Sequence, residues 1–326
     1  MNTFRRLSVK VSETGEVTRE IENADLDAFD THDLLIKVAY SSLNYKDALS
    51  ASGNKGISRF YPHTPGIDAS GIVVRSKSPH FKEGNEVIVT GHDLGMNTRG
   101  GFSEYISVPA HWAVPLPENM SLKESMMLGT AGLTAAMSIN RIIHSDLSKQ
   151  PVIVSGATGG VGSIALLMLK KMGIETVAYS RRSESVDFLK SLGASEVTHS
   201  WEESPKPMLK GLYSAGIDTV GGSTLENMIK CVNHGGGIAV CGMAQSPIFS
   251  TSVFPFILRG LSLYGIESAE APAQLRAELW QLLADAWKPN SLEAITRTVT
   301  LETLEPEIQQ MLDGKALGRV VVELRN

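Results

Sequence analysis

The sequence predicts an α/β chain in two parts, a doubly wound parallel sheet and a β-rich domain, and three observations carry that prediction. A length of 326 residues exceeds what one hydrophobic core usually supports. From Phe4 to about Pro115 the apolar runs are short and punctuated by Gly, Pro, Asn and Asp turns. From Pro151 the rhythm changes to strand, helix, strand, the pattern of a parallel sheet with crossover helices.

Taken in order, Leu34-Leu35-Ile36-Lys37-Val38, Gly71-Ile72-Val73-Val74 and Glu86-Val87-Ile88-Val89 read as strands of the first domain. Ser121, with Glu124 three residues on, caps a helical run over Leu122–Leu128, and a second run follows from about Ala131 to Ile143. The strands expected in the sheet are Val152–Ser155, Thr176–Tyr179, Glu196–Thr198, Ile217–Val220, Gly237–Cys241 and Leu261–Ile266. Ile164–Met172 is helical and stops at Gly173. Beyond Pro272 come helices and a last strand, Arg319–Leu324.

Composition narrows the function classes. A hydrophobic share of 42% with 20% charged residues is ordinary for a folded chain and unlike disorder. The net charge of −5 and the lack of a basic stripe argue against nucleic acid as a partner. Cys231 and Cys241 are not in metal-ligand spacing, and two cysteines suit a reducing, cytoplasmic compartment. Met1–Lys10 lacks the apolar stretch of a secretory signal, and no later run is long enough to span a bilayer, so no membrane association is expected.

The strand Val152-Ile153-Val154 runs into Ser155-Gly156-Ala157-Thr158-Gly159-Gly160-Val161-Gly162, which opens a helix. Small residues let such a turn approach a pyrophosphate, and the helix start presents unpaired N–H groups to that anion. About twenty residues on, where an NAD-selective sheet places an acid for the ribose 2′-hydroxyl, the chain reads Tyr179-Ser180-Arg181-Arg182. Ser180, Arg181 and Arg182 suit a 2′-phosphate, because guanidinium groups bind phosphate through a bidentate fork. NADPH is therefore the expected cofactor; the alternative is a solvated basic start to the next helix, which carries Glu184 and Asp187.

The chain resembles the medium-chain dehydrogenase/reductase superfamily, and within it the zinc-free quinone oxidoreductase branch that includes acrylyl-CoA reductase. The segments that carry the likeness are Ser42-Leu43-Asn44-Tyr45-Lys46-Asp47, Pro65-Gly66-Ile67-Asp68-Ala69-Ser70-Gly71, Gly100-Gly101-Phe102-Ser103-Glu104-Tyr105, Gly129-Thr130-Ala131-Gly132-Leu133-Thr134-Ala135, the glycine loop, Asp218-Thr219-Val220-Gly221-Gly222 and Phe256-Ile257-Leu258-Arg259-Gly260. The resemblance implies a GroES-like catalytic domain over 1–129, a Rossmann NADPH-binding domain over 130–268 and a return of the chain to the first domain over 269–326. It also implies a homodimer paired through Leu261-Ser262-Leu263-Tyr264-Gly265-Ile266.

Where the alcohol-dehydrogenase branch keeps a zinc-binding Cys, a His beside an acid and a further Cys or Asp, this chain has Asn44, Ile67-Asp68 and Thr130. Those residues cannot build the usual three-ligand zinc site, and Gly91–Gly101 lacks the four-cysteine structural lobe. No metal is expected. The substrate must then bring its own electron-withdrawing group: an enone, a quinone or an enoyl thioester.

Hydride would add at the β-carbon, and the developing enolate needs a hydrogen-bond donor and a proton. Tyr45 is the candidate, since its family counterparts lie beside the nicotinamide; packing, or ordering of the nicotinamide ribose, is the competing role. Asn44 ranks below it as a positioner of substrate or nicotinamide amide, Lys46 and Asp47 could form an ion pair, and Asp68 reads as structural. By the same resemblance Thr134, Ala157, Thr158, Gly159, Gly160, Val161, Cys241, Gly242, Ile266, Ser268 and Arg319 join the cofactor site. His63, His92 and His111 read as ordinary packing or surface histidines. An enoyl-CoA reductase acting on a substrate such as acrylyl-CoA, an NADPH:quinone oxidoreductase, and an NADPH-binding sensor or structural protein are the three functions the sequence leaves standing.

Overall fold

The computed structural model describes residues 3–26, 28–29, 31–202 and 204–324. It divides into one compact unit of residues 1–130, 269–284 and 292–326, and a second of residues 131–268 and 285–291.

The first unit is β-rich, as expected. Its strands β1 (Thr3–Val11) and β2 (Val17–Asp25) form a hairpin. Strands β3 (Leu34–Ser42), β4 (Asp68–Ser76), β5 (Glu86–Thr90), β6 (Tyr105–Val108) and β7 (Ala113–Pro115) follow, with helix α1 (Tyr45–Ala51) between β3 and β4. Leu34, Ile36 and Val38 of β3, Val73 of β4 and Val87 and Val89 of β5 are buried in one core together with Ala48 and Ala51 of α1. Leu35 of β3 is buried in a second cluster with Phe4 and Phe29, so this strand is covered on both faces, which is why it reads as a continuous apolar run.

Helix α2 (Leu122–Ile142) carries the chain from one unit to the other. Its start is the expected capping box: the Glu124 carboxylate accepts the Ser121 N–H at 2.8 Å, and the Ser121 hydroxyl accepts the Glu124 N–H at 3.2 Å. The helix is interrupted at Gly129, with φ 53° and ψ −154°, between the two runs that the sequence separates. A β-carbon there would stand 2.4 Å from the Asp68 carboxylate and 2.6 Å from the Ser42 hydroxyl, so both the torsion and the space require glycine.

The second unit holds β8 (Val152–Ser155), α3 (Gly160–Lys171), β9 (Thr176–Tyr179), α4 (Val186–Ser191), β10 (Glu196–Thr198), β11 (Ala215–Asp218), α5 (Gly222–Cys231), β12 (Gly237–Val240), α6 (Phe254–Arg259) and β13 (Ser262–Gly265). All the strand pairs are parallel, in the order β10-β9-β8-β11-β12-β13. That is the doubly wound order with its switch point between β8 and β11. Strand β11 begins and ends two residues before the expected Ile217–Val220. The Asp218 carboxylate accepts the Gly221 N–H at 2.8 Å, which turns the chain out of the sheet although Val220 continues the apolar pattern. Leu225, Met228 and Ile229 of α5 pack with Ile153, Val177 and Ile238 of three strands.

The chain then returns to the first unit with α7 (Ala273–Ala284), β14 (Thr296–Val299), α8 (Glu305–Leu312) and β15 (Arg319–Glu323). Strand β15 lies between β14 and β3, which completes a sheet in the order β14-β15-β3-β4-β5-β7 with β6 also on β3. Arg319 is thereby brought beside Ser42 and Asn44.

Candidate active site

In the first unit, the residues at the three zinc-ligand positions come together around a buried charge cluster. Asp68, the first residue of β4, accepts the Ser42 hydroxyl at 2.6 Å, the Asn44 amide at 2.8 Å, the Thr130 N–H at 3.0 Å and the Thr130 hydroxyl at 2.5 Å. Arg319, 2% exposed, stands 3.9 Å from the same carboxylate. Its guanidinium donates to the Ser42 hydroxyl at 2.8 Å, the Met127 carbonyl at 3.0 Å and the Asn44 side-chain oxygen at 3.1 Å. These contacts are all within the first unit.

Both polar atoms of the Asn44 amide are engaged in this cluster, Oδ1 by Arg319 and Nδ2 by Asp68. Asn44 is the N-cap residue of α1. An ion pair between Lys46 and Asp47, one of the roles open to them, is not what the fold builds. Lys46 is exposed, while Asp47 is fully buried and accepts the N–H groups of Asn44 at 2.7 Å, Ile67 at 2.8 Å and Gly66 at 3.1 Å. Burial, with the negative charge of Asp68 adding to it, pushes the Asp47 carboxyl up to about 7, against the pull of those N–H groups. A helix N-terminus welcomes an acid in its first turn, but Asp47 also ties α1 to the Gly66–Ile67 loop, which sequence spacing alone does not reveal. Tyr45 projects from this scaffold with 53% of its surface exposed.

Among the described residues, no group of three or more His, Cys, Asp or Glu side chains is placed to hold a metal ion. His92 is a packing residue of the turn after β5. It has the one positive φ of a non-glycine residue among those described, 53°, its ring stacks on Trp112 at 5.2 Å, and its N–H donates to Ala269, the first residue of the returning segment. Burial, aided by Arg276, pushes it down to about 4.

In the second unit, the glycine loop leads from β8 into α3, whose N-cap is Gly159. Gly156 adopts φ 55°, and a β-carbon on it would fall 2.0 Å from the Thr219 hydroxyl. At Gly159 the nearest atom to an added β-carbon is 3.4 Å away, so the backbone there is open to an approaching group. Ala157 and Thr158 are buried, Gly160 and Val161 half-buried at the start of the helix. Asp218 locks this loop from behind: it accepts the Ser155 hydroxyl at 2.6 Å, and the Ser155 oxygen accepts the Thr219 N–H at 3.0 Å.

Cys241, Gly242, Ile266 and Ser268 lie just past the carboxyl ends of β12 and β13, the side of a doubly wound sheet on which ligands bind. The Thr134 and Ser268 hydroxyls are 2.7 Å apart, joining α2 to the segment after β13. Burial pushes the Cys241 thiol up to about 12, which leaves it a neutral packing group. After β9, Ser180 is buried and its hydroxyl accepts the Arg182 N–H at 3.2 Å, whereas Arg181 is exposed and Arg182 half-buried. The sequence reading missed His199, whose ring lies against the Ser180 carbonyl at 2.6 Å.

The alcohol dehydrogenase GroES-like domain family matches residues 30–118, and the zinc-binding dehydrogenase family matches residues 160–285. YhfP of Bacillus subtilis, which carries a quinone oxidoreductase name, is 45% identical over 297 residues, 89% of this chain and 90% of its own. Acrylyl-CoA reductase AcuI of Ruegeria pomeroyi is 35% identical over 320 residues, 97% of each chain. Among solved structures, YhfP with NAD bound matches with a TM-score of 0.95 and 41% identity over 99% of this chain and 100% of that one. The yhdH oxidoreductase from Salmonella enterica in complex with NADP gives 0.94 and 34% over 98% and 100%.

A GroES-like unit and a Rossmann sheet in one chain define the class, the medium-chain dehydrogenases and reductases. The chain belongs to this family, in the zinc-free branch that holds YhfP and AcuI.

Proposed function

We propose that the chain is an NADPH-dependent reductase that adds hydride to a carbon–carbon double bond conjugated to a thioester, a short enoyl-CoA such as acrylyl-CoA. The observation that carries this reading is the end-to-end likeness to AcuI, over 97% of both chains.

The chain's own residues fit the cofactor. Gly159 leaves its backbone open, and the 12-residue helix α3 starts there with N–H groups that have no acceptor within the helix. The related structures hold NADP in one case and NAD in the other, so the choice of nucleotide rests on the turn after β9. That turn presents Arg181 and Arg182 and has no acid at the position where a ribose 2′-hydroxyl would be held.

When bound, the reduced nicotinamide supplies a hydride to the β-carbon of the acceptor. Tyr45 donates a hydrogen bond to the oxygen that becomes negative, and then a proton toward the α-carbon. The cluster of Asn44, Asp47, Asp68 and Arg319 holds the helix that carries it. Lys55 and Arg59 are exposed and suit the phosphates of a CoA ester, whereas Arg99 lies over the Phe29 ring at 4.5 Å.

Reduction of a small quinone is the second reading, favoured by the 45% identity to YhfP. Steady-state oxidation of NADPH with acrylyl-CoA against benzoquinone tests both. A kcat/KM at least tenfold higher for the thioester supports the first, and the reverse order supports the second. Tight NADPH binding with no turnover of enone, quinone or enoyl thioester would leave a nucleotide-binding sensor or structural protein.

We further infer a cytoplasmic homodimer. Among the described residues β13 is an edge strand, and Ile257 and Leu258, just before it, are 71% and 55% exposed. No helix among them is long and apolar enough to cross a membrane. Ile257→Lys should convert the dimer to a monomer by size-exclusion chromatography with light scattering; a monomeric wild type would sink the inference.

A further inference from the structure

His199 follows the carboxyl end of β10, the neighbour of β9 in the sheet. Its Nδ1 lies 2.6 Å from the carbonyl oxygen of Ser180. A carbonyl oxygen can only accept, so Nδ1 carries the proton; Nε2 of the neutral ring is then a bare acceptor, and it becomes a donor only in the imidazolium. The residue is exposed, so the rest of the ring is open to solvent or ligand.

Ser180 is the first residue after β9, the place where an NAD-selective sheet holds the ribose 2′-oxygen with an acid. In this chain the Ser180 side chain is not offered outward. It is 5% exposed, and its oxygen accepts the Arg182 N–H at 3.2 Å and the Ser185 hydroxyl at 3.1 Å, which shapes the turn. The exposed groups next to Ser180 are Arg181, its neighbour in the chain, and His199, whose ring lies on its carbonyl.

We propose that His199 is a specificity-determining residue for the 2′-phosphate: held by Nδ1 on the Ser180 carbonyl, it pairs through Nε2 with a phosphate oxygen, one proton being shared between the two groups. The inference rests on the NADPH reading above and deepens it. A charge-assisted hydrogen bond to a dianion is stronger than a neutral one, and an unphosphorylated ribose offers no comparable partner. The side chain therefore separates NADPH from NADH, where a residue at the glycine loop would act on both.

The test compares wild type, His199→Ala and His199→Asn, with KM measured for NADPH and NADH and competitive inhibition by 2′,5′-ADP and 5′-AMP. Asparagine keeps an N–H donor where Nδ1 stands but has nothing in place of Nε2. Both variants should raise the KM for NADPH and the Ki for 2′,5′-ADP about tenfold. The NADH and 5′-AMP constants should stay where they are, which also shows that the site is folded. A wild-type-like His199→Asn would reduce the ring to a brace for the turn and overturn the proposal, as would constants that shift together for both nucleotides or not at all. A wild type that fails to distinguish 2′,5′-ADP from 5′-AMP would overturn the NADPH reading as well.

Discussion

The charge cluster beneath Tyr45 and the loop-and-turn region after β8 and β9 are built on opposite plans. In the first unit Asp47, Asp68, Asn44 and Arg319 are engaged with one another and with neighbouring backbone. In the second, Gly159 leaves open backbone at a helix start, and Arg181 and His199 face outward. A buried polar network that is complete has little left for a ligand; its contribution is to hold what projects from it. An open helix start in a unit that also carries exposed cations has donors left to offer an anion.

The largest expected effect breaks the closed side. Arg319→Leu removes the one guanidinium from a cluster with two buried carboxylates, and leaving such a charge without its partner costs about 3–5 kcal/mol. Urea unfolding should show a loss of that size, and a variant within about 1 kcal/mol of wild type would mean that the cluster is not a scaffold.

Tyr45→Phe tests what the scaffold holds up. The phenol is half exposed, so stability should change little, while loss of a general acid lowers kcat about 100-fold. The KM for NADPH should stay within about twofold, because only an interaction of the transition state has been removed. An unchanged kcat would return Tyr45 to a packing role.

On the open side the dissociation of fold and function should run the other way. Gly159 has an ordinary φ of −81° and space around it, so Gly159→Val costs only about 1 kcal/mol as a poorer N-cap. The new side chain occupies the surface on which a pyrophosphate would rest, and NADPH affinity should fall about tenfold to thirtyfold by isothermal titration. Equal losses of stability and affinity would show that the loop is packed rather than open.

What was legible in the sequence follows the range of the forces involved. β8 and β9 are four-residue, mostly apolar runs that are marked locally, and their bounds, like those of the shorter β10, agree with expectation. The Ser121–Glu124 cap and the Gly129 break were visible for the same reason. Strand β11 was misplaced by two residues because the turn is set by a carboxylate, to which apolar periodicity is blind. Asp47 was read as a possible ion-pair partner of Lys46, but its bonds to Gly66 and Ile67 span about twenty residues, and Arg319 meets Asn44 across 275. His199 meets Ser180 only because β9 and β10 are neighbours in the sheet, which spacing along the chain does not encode.

The smallest effect refines the comparison through pH. A carboxyl raised in the folded state from 3.8 to about 7 binds a proton that the unfolded chain has already released. Its contribution to stability is therefore present below pH 4, declines as pH rises, and is gone above about pH 7. Between pH 6 and 8 this amounts to a loss of about 1 kcal/mol for wild type. His92, lowered from 6.5 to about 4, has the opposite sign: its contribution is present above pH 6.5 and is lost as pH falls toward 4, so it partly masks the Asp47 slope near pH 6. The difference between wild type and Asp47→Asn isolates the carboxyl, because His92 is common to both. That difference, from chemical denaturation at pH 6, 7 and 8, should change by about 1 kcal/mol in favour of the variant as pH rises. A constant difference across the window would mean that Asp47 stays ionised throughout, held by the N–H groups of Asn44, Gly66 and Ile67 more firmly than burial and Asp68 oppose it.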